Sequence, residues 1–167
     1  MDESPSTPAQ ETTAGPSPVI LFCTDFSDNA RKAFAYAVDE AARRPGATLH
    51  LLHVLPEPDA QFWKPYIYEL DHDVDQKARD TFDQQVATEY APHVPDGVTF
   101  QATFRIGKAA VEIIRYANEI HATFLVLGRQ GRGALHSFFF GTTAEKVVRD
   151  AQCPVLVIPL QPEHLQE

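Results

Sequence analysis

The sequence predicts an α/β protein with a single open, five-stranded parallel sheet and helices on both faces. Three observations carry that expectation. Short apolar runs alternate along the whole chain with segments whose apolar residues recur at helical spacing. The runs at 19–23, 124–127 and 155–158 are apolar throughout, as in strands buried on both faces of a parallel sheet. The order strand, helix, strand continues to a fifth strand with no internal repeat, which implies right-handed crossovers between parallel strands.

Residues 1–16 are rich in Ser, Thr, Pro, Glu and Ala and are expected to form a disordered tail. Val19 to Cys23 is the first strand. It runs into Thr24-Asp25-Phe26-Ser27, where Ser27 or Asp28 can cap a helix carrying Ala30, Phe34, Ala37, Val38 and Ala41. Pro45-Gly46 stops that helix. Thr48 to Val54 is the second strand. An aromatic-rich connection comes next, with Phe62, Trp63, Tyr66 and Tyr68; a flap, a subunit contact and plain packing over the sheet end all remain open for it. Val74, Ala78, Phe82, Val86 and Tyr90 recur every fourth residue and predict a helix over 71–91. From Val98 to Phe104 apolar and polar residues alternate, which predicts a strand at the edge of the sheet. Gly107 opens a helix with Val111, Ile114, Tyr116 and Ala117 among its apolar positions. Phe124 to Leu127 is the fourth strand, 142–151 the last helix, and Pro154 to Pro159 the fifth strand. The domain is expected to span 17–160, with a polar tail over 161–167.

Composition narrows the function. The 167 residues suit one domain with a sizeable core. With 23 acidic and 14 basic residues the formal charge is −9, which argues against a general nucleic-acid or anionic-membrane surface. No apolar run approaches the roughly 20 residues of a membrane span. The acidic, polar start of the chain does not read as a secretory signal, so a cytoplasmic location is expected. Cys23 and Cys153 are too few for a disulfide framework and lack zinc-site spacing.

The chemistry gathers after the fourth strand. Gly128-Arg129-Gln130-Gly131 is followed, nine residues on, by Gly141-Thr142-Thr143, and then by the last helix. A strand that breaks into a glycine-rich turn and re-enters as a helix presents backbone N–H groups to phosphate. Glycine at 128, 131 and 141 permits positive φ and close approach of a ligand. Thr142 and Thr143 stand where an N-cap is wanted, and their hydroxyls reach toward a phosphate oxygen. An ordinary strand-to-helix loop is the alternative. The loop is neither a P-loop, since no Lys follows the glycines, nor a Rossmann fingerprint, since it comes after the fourth strand.

Ligands of open α/β sheets bind beyond the carboxyl ends of the strands, where strand order reverses. If the first and fourth strands are neighbours, Asp25 faces the glycine loop. A carboxylate suits ribose hydroxyls better than phosphate; a turn or capping role is its alternative. Val54 and Leu127 can wall an adenine slot, with Cys23 small enough to line it. His50 and His53 point to opposite faces of a strand and make a poor metal pair, and His72 between Asp71 and Asp73 reads as a solvated helix start.

The pattern G-x2-G-x9-G-[ST], with Ala144-Glu145-Lys146-Val147-Val148-Arg149 and Cys153 to Pro159 behind it, resembles the universal stress protein family. Thr24 to Ser27 and His53-Val54 match it too, so the resemblance covers residues 18–160. It implies a strand order of 3-2-1-4-5. It implies membership of the ATP-binding subgroup, because the glycine motif is complete. Carried over by position, Asp25 holds the ribose and Cys23, Val54 and Leu127 line the adenine. Gly128, Gln130, Gly131, Gly141, Thr142 and Thr143 hold phosphates. Thr143 stands where an apolar residue is more usual in the family, and the residue at the Cys23 position varies across it. The implied ligand is ATP, with AMP or ADP as alternatives and Mg carried on the phosphates. The implied partner is a second copy, paired through 154–159, and no nucleic acid or membrane partner is expected. A nucleotide-dependent stress or signalling protein is the leading reading. A slow ATPase using Arg129, Arg132 or His136, and a member that acts through protein contacts alone, are the alternatives.

Overall fold

The computed structural model describes residues 17–56, 77–130 and 141–159. The tails expected at 1–16 and 161–167, the aromatic stretch 62–68, the helix start at 71–76, and Gly131, Arg132 and His136 lie outside those residues.

Strands β1 (Val19–Thr24), β2 (Thr48–Leu55), β3 (Thr99–Ile106), β4 (Phe124–Gly128) and β5 (Val155–Ile158) form one sheet of order β3-β2-β1-β4-β5. Every pairing is parallel. Helices α1 (Asp28–Ala42), α2 (residues 77–89), α3 (Ala109–Glu119) and α4 (Thr142–Asp150) make the crossovers. The expected class and strand order are both observed. The alternating strand is an edge, as its pattern predicted, although it runs two residues further than Phe104.

Alternation along β1 divides the core in two. Ile20 and Phe22 point to the face covered by α1 and α2, where they join Phe26, Phe34, Leu49, Leu51, Phe82 and Tyr90. Leu21 and Cys23 point to the face covered by α3 and α4, with Leu52, Tyr116, Leu125, Leu127 and Val147. Burial of a side chain of this size contributes about 1.5–3 kcal/mol. The strands at the centre are thus apolar on both sides because both sides are roofed.

Helix α1 is capped as the sequence predicts, with Ser27 Oγ accepting from the Ala30 amide at 3.2 Å. Gly46 takes φ of +75° in the turn after it, where a side chain is strained. Helix α3 departs from expectation at one position. Val111 is 48% exposed, while Ile113 and Glu112 turn inward. Glu112 is held there by Arg115 at 2.5 Å, under Gly107, where a Cβ would stand 2.9 Å from the Glu112 Cγ. The two strand histidines do point to opposite faces. His50 meets the Tyr116 hydroxyl at 3.1 Å on the α3 side, and His53 packs on Phe26 and Phe82 on the other.

Candidate functional site

Strand order reverses at the β1–β4 pair, since β2 lies on the far side of β1. Register places Cys23 opposite Leu127, so β1 and β4 end side by side. The turn that leaves β1 and the loop that leaves β4 therefore meet at one end of the sheet.

After β1 the chain makes a tight turn built from its own side chains. Thr24 Oγ1 accepts from the Phe26 amide at 2.9 Å, and Asp25 Oδ1 accepts from the Ser27 amide at 3.1 Å. Phe26 sits at φ of +59°, a strained conformation for a bulky residue. Its side chain is 2% exposed among Phe82, Tyr90 and His53, and that burial holds it there. Two outside clamps fix the turn. The Tyr90 hydroxyl shares a 2.6 Å hydrogen bond with Thr24 Oγ1, and the His53 Nδ1–H donates to the Thr24 carbonyl at 2.8 Å. Burial pushes the Tyr90 phenol up to about 12, so it stays protonated at neutral pH. Asp25 is thus a turn residue, and it stands half-buried at the mouth between the two strands.

After β4 the loop is pinned at its neck. The Arg129 amide donates to the Ile158 carbonyl at 2.8 Å, and the Gly141 amide donates to the Arg129 carbonyl at 2.9 Å. Residues 129 and 141 are thus neighbours, and the excursion of 131–140 begins and ends at one place. Gly141, not Thr142 or Thr143, is the N-cap of α4. The two threonines are the first helical residues, because the Gly141 amide is committed to Arg129 and its extended backbone ends the loop. Its glycine N-cap offers no side chain, so among the described residues the first-turn amides around Thr142 and Thr143 have no side-chain cap. They carry the positive end of the helix dipole.

At Gly128 and Gly141 the glycine answers to crowding and not to backbone angle. Neither Gly128 nor Gly141 adopts positive φ. At Gly141 a Cβ would stand 3.3 Å from the Arg129 carbonyl oxygen, inside the neck. At Gly128 it would stand 2.7 Å from Nδ2 of Asn29, in the first turn of α1. Asn29 is the residue that sequence reasoning missed. It is 4% exposed, and its Nδ2 donates to the Gln130 carbonyl at 3.0 Å. An Asn in a polar helix start looks like any solvated first-turn residue, and no sequence signal marked it.

The three residues expected to wall an apolar slot share one face of the sheet. Cys23 and Leu127 are buried on the α3–α4 face at the carboxyl ends of their strands, and Val54 packs half-buried against the same cluster from β2. Burial raises the Cys23 thiol well above its ordinary range, so it is inert filler and not a nucleophile. The structure thus brings together Cys23, Asp25, Val54, Leu127, Gly128, Gln130, Gly141, Thr142 and Thr143 at one end of the sheet. Gly131 lies outside the described residues. Two buried polar atoms at the neck, Asn29 Oδ1 and Arg129 Nε, have no hydrogen-bond partner among the described residues. Those residues contain no cluster of metal-ligating side chains and no helix long and apolar enough to cross a membrane.

Residues 18–159 match the model of the universal stress protein family. The chain belongs to that family. A universal stress protein of Thermus aquaticus, named for a position 3′ of a QAH/OAS sulfhydrylase gene, is 33% identical over 140 residues, covering 83% of this chain and 96% of its own. Among solved structures, the universal stress protein UspA of Lactobacillus plantarum is 31% identical, with a TM-score of 0.63 over 84% of this chain and 97% of that one. A universal stress protein of Archaeoglobus fulgidus in complex with dAMP shares the fold, with a TM-score of 0.57 at 23% identity over 85% of this chain and 97% of its own. The family match covers β1 through β5 and therefore every element of the site.

Proposed function

We propose that this universal stress protein binds an adenine nucleotide at the carboxyl end of the β1–β4 pair. In this reading it acts as a nucleotide-dependent stress or signalling protein in the cytoplasm. The observation that carries the reading is the meeting of the half-buried Asp25 turn with the start of α4, whose N-cap is a glycine, across a single pair of strands.

The groups present fit the ligand. A helix start whose N-cap is a glycine suits a phosphate; Gln130 and Gly131 supply further main-chain amides, and Gly128 and Gly141 shape the loop that carries them. Thr142 and Thr143 add hydroxyls. Asp25 keeps one carboxylate oxygen on the Ser27 amide and turns its carboxylate to the ribose hydroxyls. Cys23, Val54 and Leu127 form the apolar wall that a purine requires. The dAMP complex of the archaeal relative supports an adenine ligand in this fold. We assign ATP, with AMP and ADP as alternatives, and Mg brought on the phosphates. Holding is favoured over turnover, since no Lys follows the glycines.

Two measurements test this. Nucleotide released by acid from the purified protein should be an adenine nucleotide. ATP at a hundred times its Kd should stabilise the fold by about 2.7 kcal/mol and raise the melting temperature accordingly. An unchanged melting temperature across ATP, ADP and AMP would falsify the reading. Release of phosphate from ATP no faster than with a Gly141→Val variant would exclude the ATPase alternative.

A further inference from the structure

We propose that Asn29 is the positioning residue of the phosphate loop, a role that rests on the nucleotide reading above. A buried Asn on a helix needs a reason, because desolvating an amide is costly unless it is hydrogen-bonded. Here the reason lies 101 residues away in sequence: Nδ2 donates to the Gln130 carbonyl at 3.0 Å. Gly128 makes room for that bond. Its missing Cβ would otherwise stand 2.7 Å from Nδ2 and 3.1 Å from Cγ of Asn29. The first glycine of the motif thus admits an amide side chain from α1, and the amide grips the peptide two residues further on.

The grip commits the Gln130 carbonyl to α1, so the start of the loop is fixed from a helix outside it. Asn29 therefore sets the loop start without touching the ligand. Its own Oδ1 is buried with no partner among the described residues. The pinned Arg129 backbone on one side and the Gln130 carbonyl on the other leave the loop start one orientation.

The test compares ATP with adenosine, which carries the base and ribose but has no phosphate for the loop. Affinities of wild type and Asn29→Ala are measured by titration calorimetry, with melting temperatures of the unliganded proteins alongside. Asn29→Ala is expected to weaken ATP about tenfold and to leave adenosine within about twofold, the scale of one lost hydrogen bond. Equal loss for both ligands, or no loss for ATP, would overturn the assignment. Should the alanine variant not fold, Asn29→Ser, whose hydroxyl is too short to reach Gln130, carries the same comparison.

A second arm needs no ligand. Gly128→Ala should lower the melting temperature in wild type but cost little in the Asn29→Ala background, where the added methyl group fills vacated space. An equal cost in both backgrounds counts against the clamp. Wild-type protein that binds neither ATP nor adenosine would sink the nucleotide reading and the positioning role with it, while the Gly128–Asn29 coupling would still be read from melting alone.

Discussion

The amide of Gly141 donates to the carbonyl of Arg129 at 2.9 Å, and this single bond closes the neck from which residues 131–140 depart. A side chain at Gly141 enters that neck, with its Cβ 3.3 Å from the bonded oxygen and 3.8 Å from the Gln130 Cα. Gly141→Val therefore forces the strand end and the helix start apart. The expected cost is about 1–3 kcal/mol in urea-induced unfolding, the range for overpacking. The variant should also lose the melting shift with ATP. Retention of the full shift would show that the neck does not set the ligand site.

Thr24 is the hinge of the other half. Its hydroxyl bonds both the Phe26 amide and the buried Tyr90 hydroxyl. Thr24→Val keeps the shape and removes both bonds, so the buried phenol loses this partner. We expect a loss of about 1–3 kcal/mol by chemical denaturation. Tyr90→Phe, which leaves the amide bond to Thr24 in place, should cost less. Equal costs would mean that the Phe26 amide bond contributes nothing.

His50 gives the fold a sensitivity to acid. Burial lowers its pKa from the ordinary value of 6.5, with the Tyr116 hydroxyl as its partner and Thr103 Oγ1 3.3 Å beyond. Arg105, stacked 4.8 Å over the Tyr116 ring, adds a positive charge on the same face. The unfolded chain takes up a proton near 6.5 while the folded chain resists it, so protons favour unfolding. The contribution of His50 is complete above pH 6.5, declines as the pH falls through that value, and levels off below the folded pKa. His50→Gln should flatten the decline in urea midpoint between about pH 7 and about pH 5 relative to wild type. Parallel curves for the two proteins would rule His50 out.

Edge strand β5 leaves Leu156 38% exposed. An apolar edge invites pairing, and a second copy across a two-fold axis is the proposed cover. Sedimentation of the wild type should give a dimer, and Leu156→Glu a monomer with unchanged circular dichroism. A wild-type monomer at micromolar concentration would refute the pairing.

The fold was legible because its signals are local and redundant. Continuous apolar runs such as Ile20 to Cys23 and Leu125 to Leu127 can only be strands roofed on both sides, and the polar alternation around Gln101 and Thr103 belongs at an edge. The strand order came from resemblance, since periodicity contains no information about which strands are neighbours. The candidate site was legible as positions that the fold gathers at one end of the sheet, but not as a set of reasons. A glycine is silent about whether it serves a backbone angle or a neighbour, so Gly128 and Gly141 read as flexible when they are in fact crowded. Asn29 was invisible for the same cause. Its partner Gln130 lies in another part of the chain, and only the packing of α1 on β4 brings them together.

The closed neck at Arg129 and Gly141 also separates two histories. Residues 129 and 141 are fastened to each other and to β5, and lengthening a loop costs little once its ends are joined. The length between them can therefore change among descendants of this chain while α4 keeps its seat. A lineage could change what the excursion contacts without renegotiating how the domain folds.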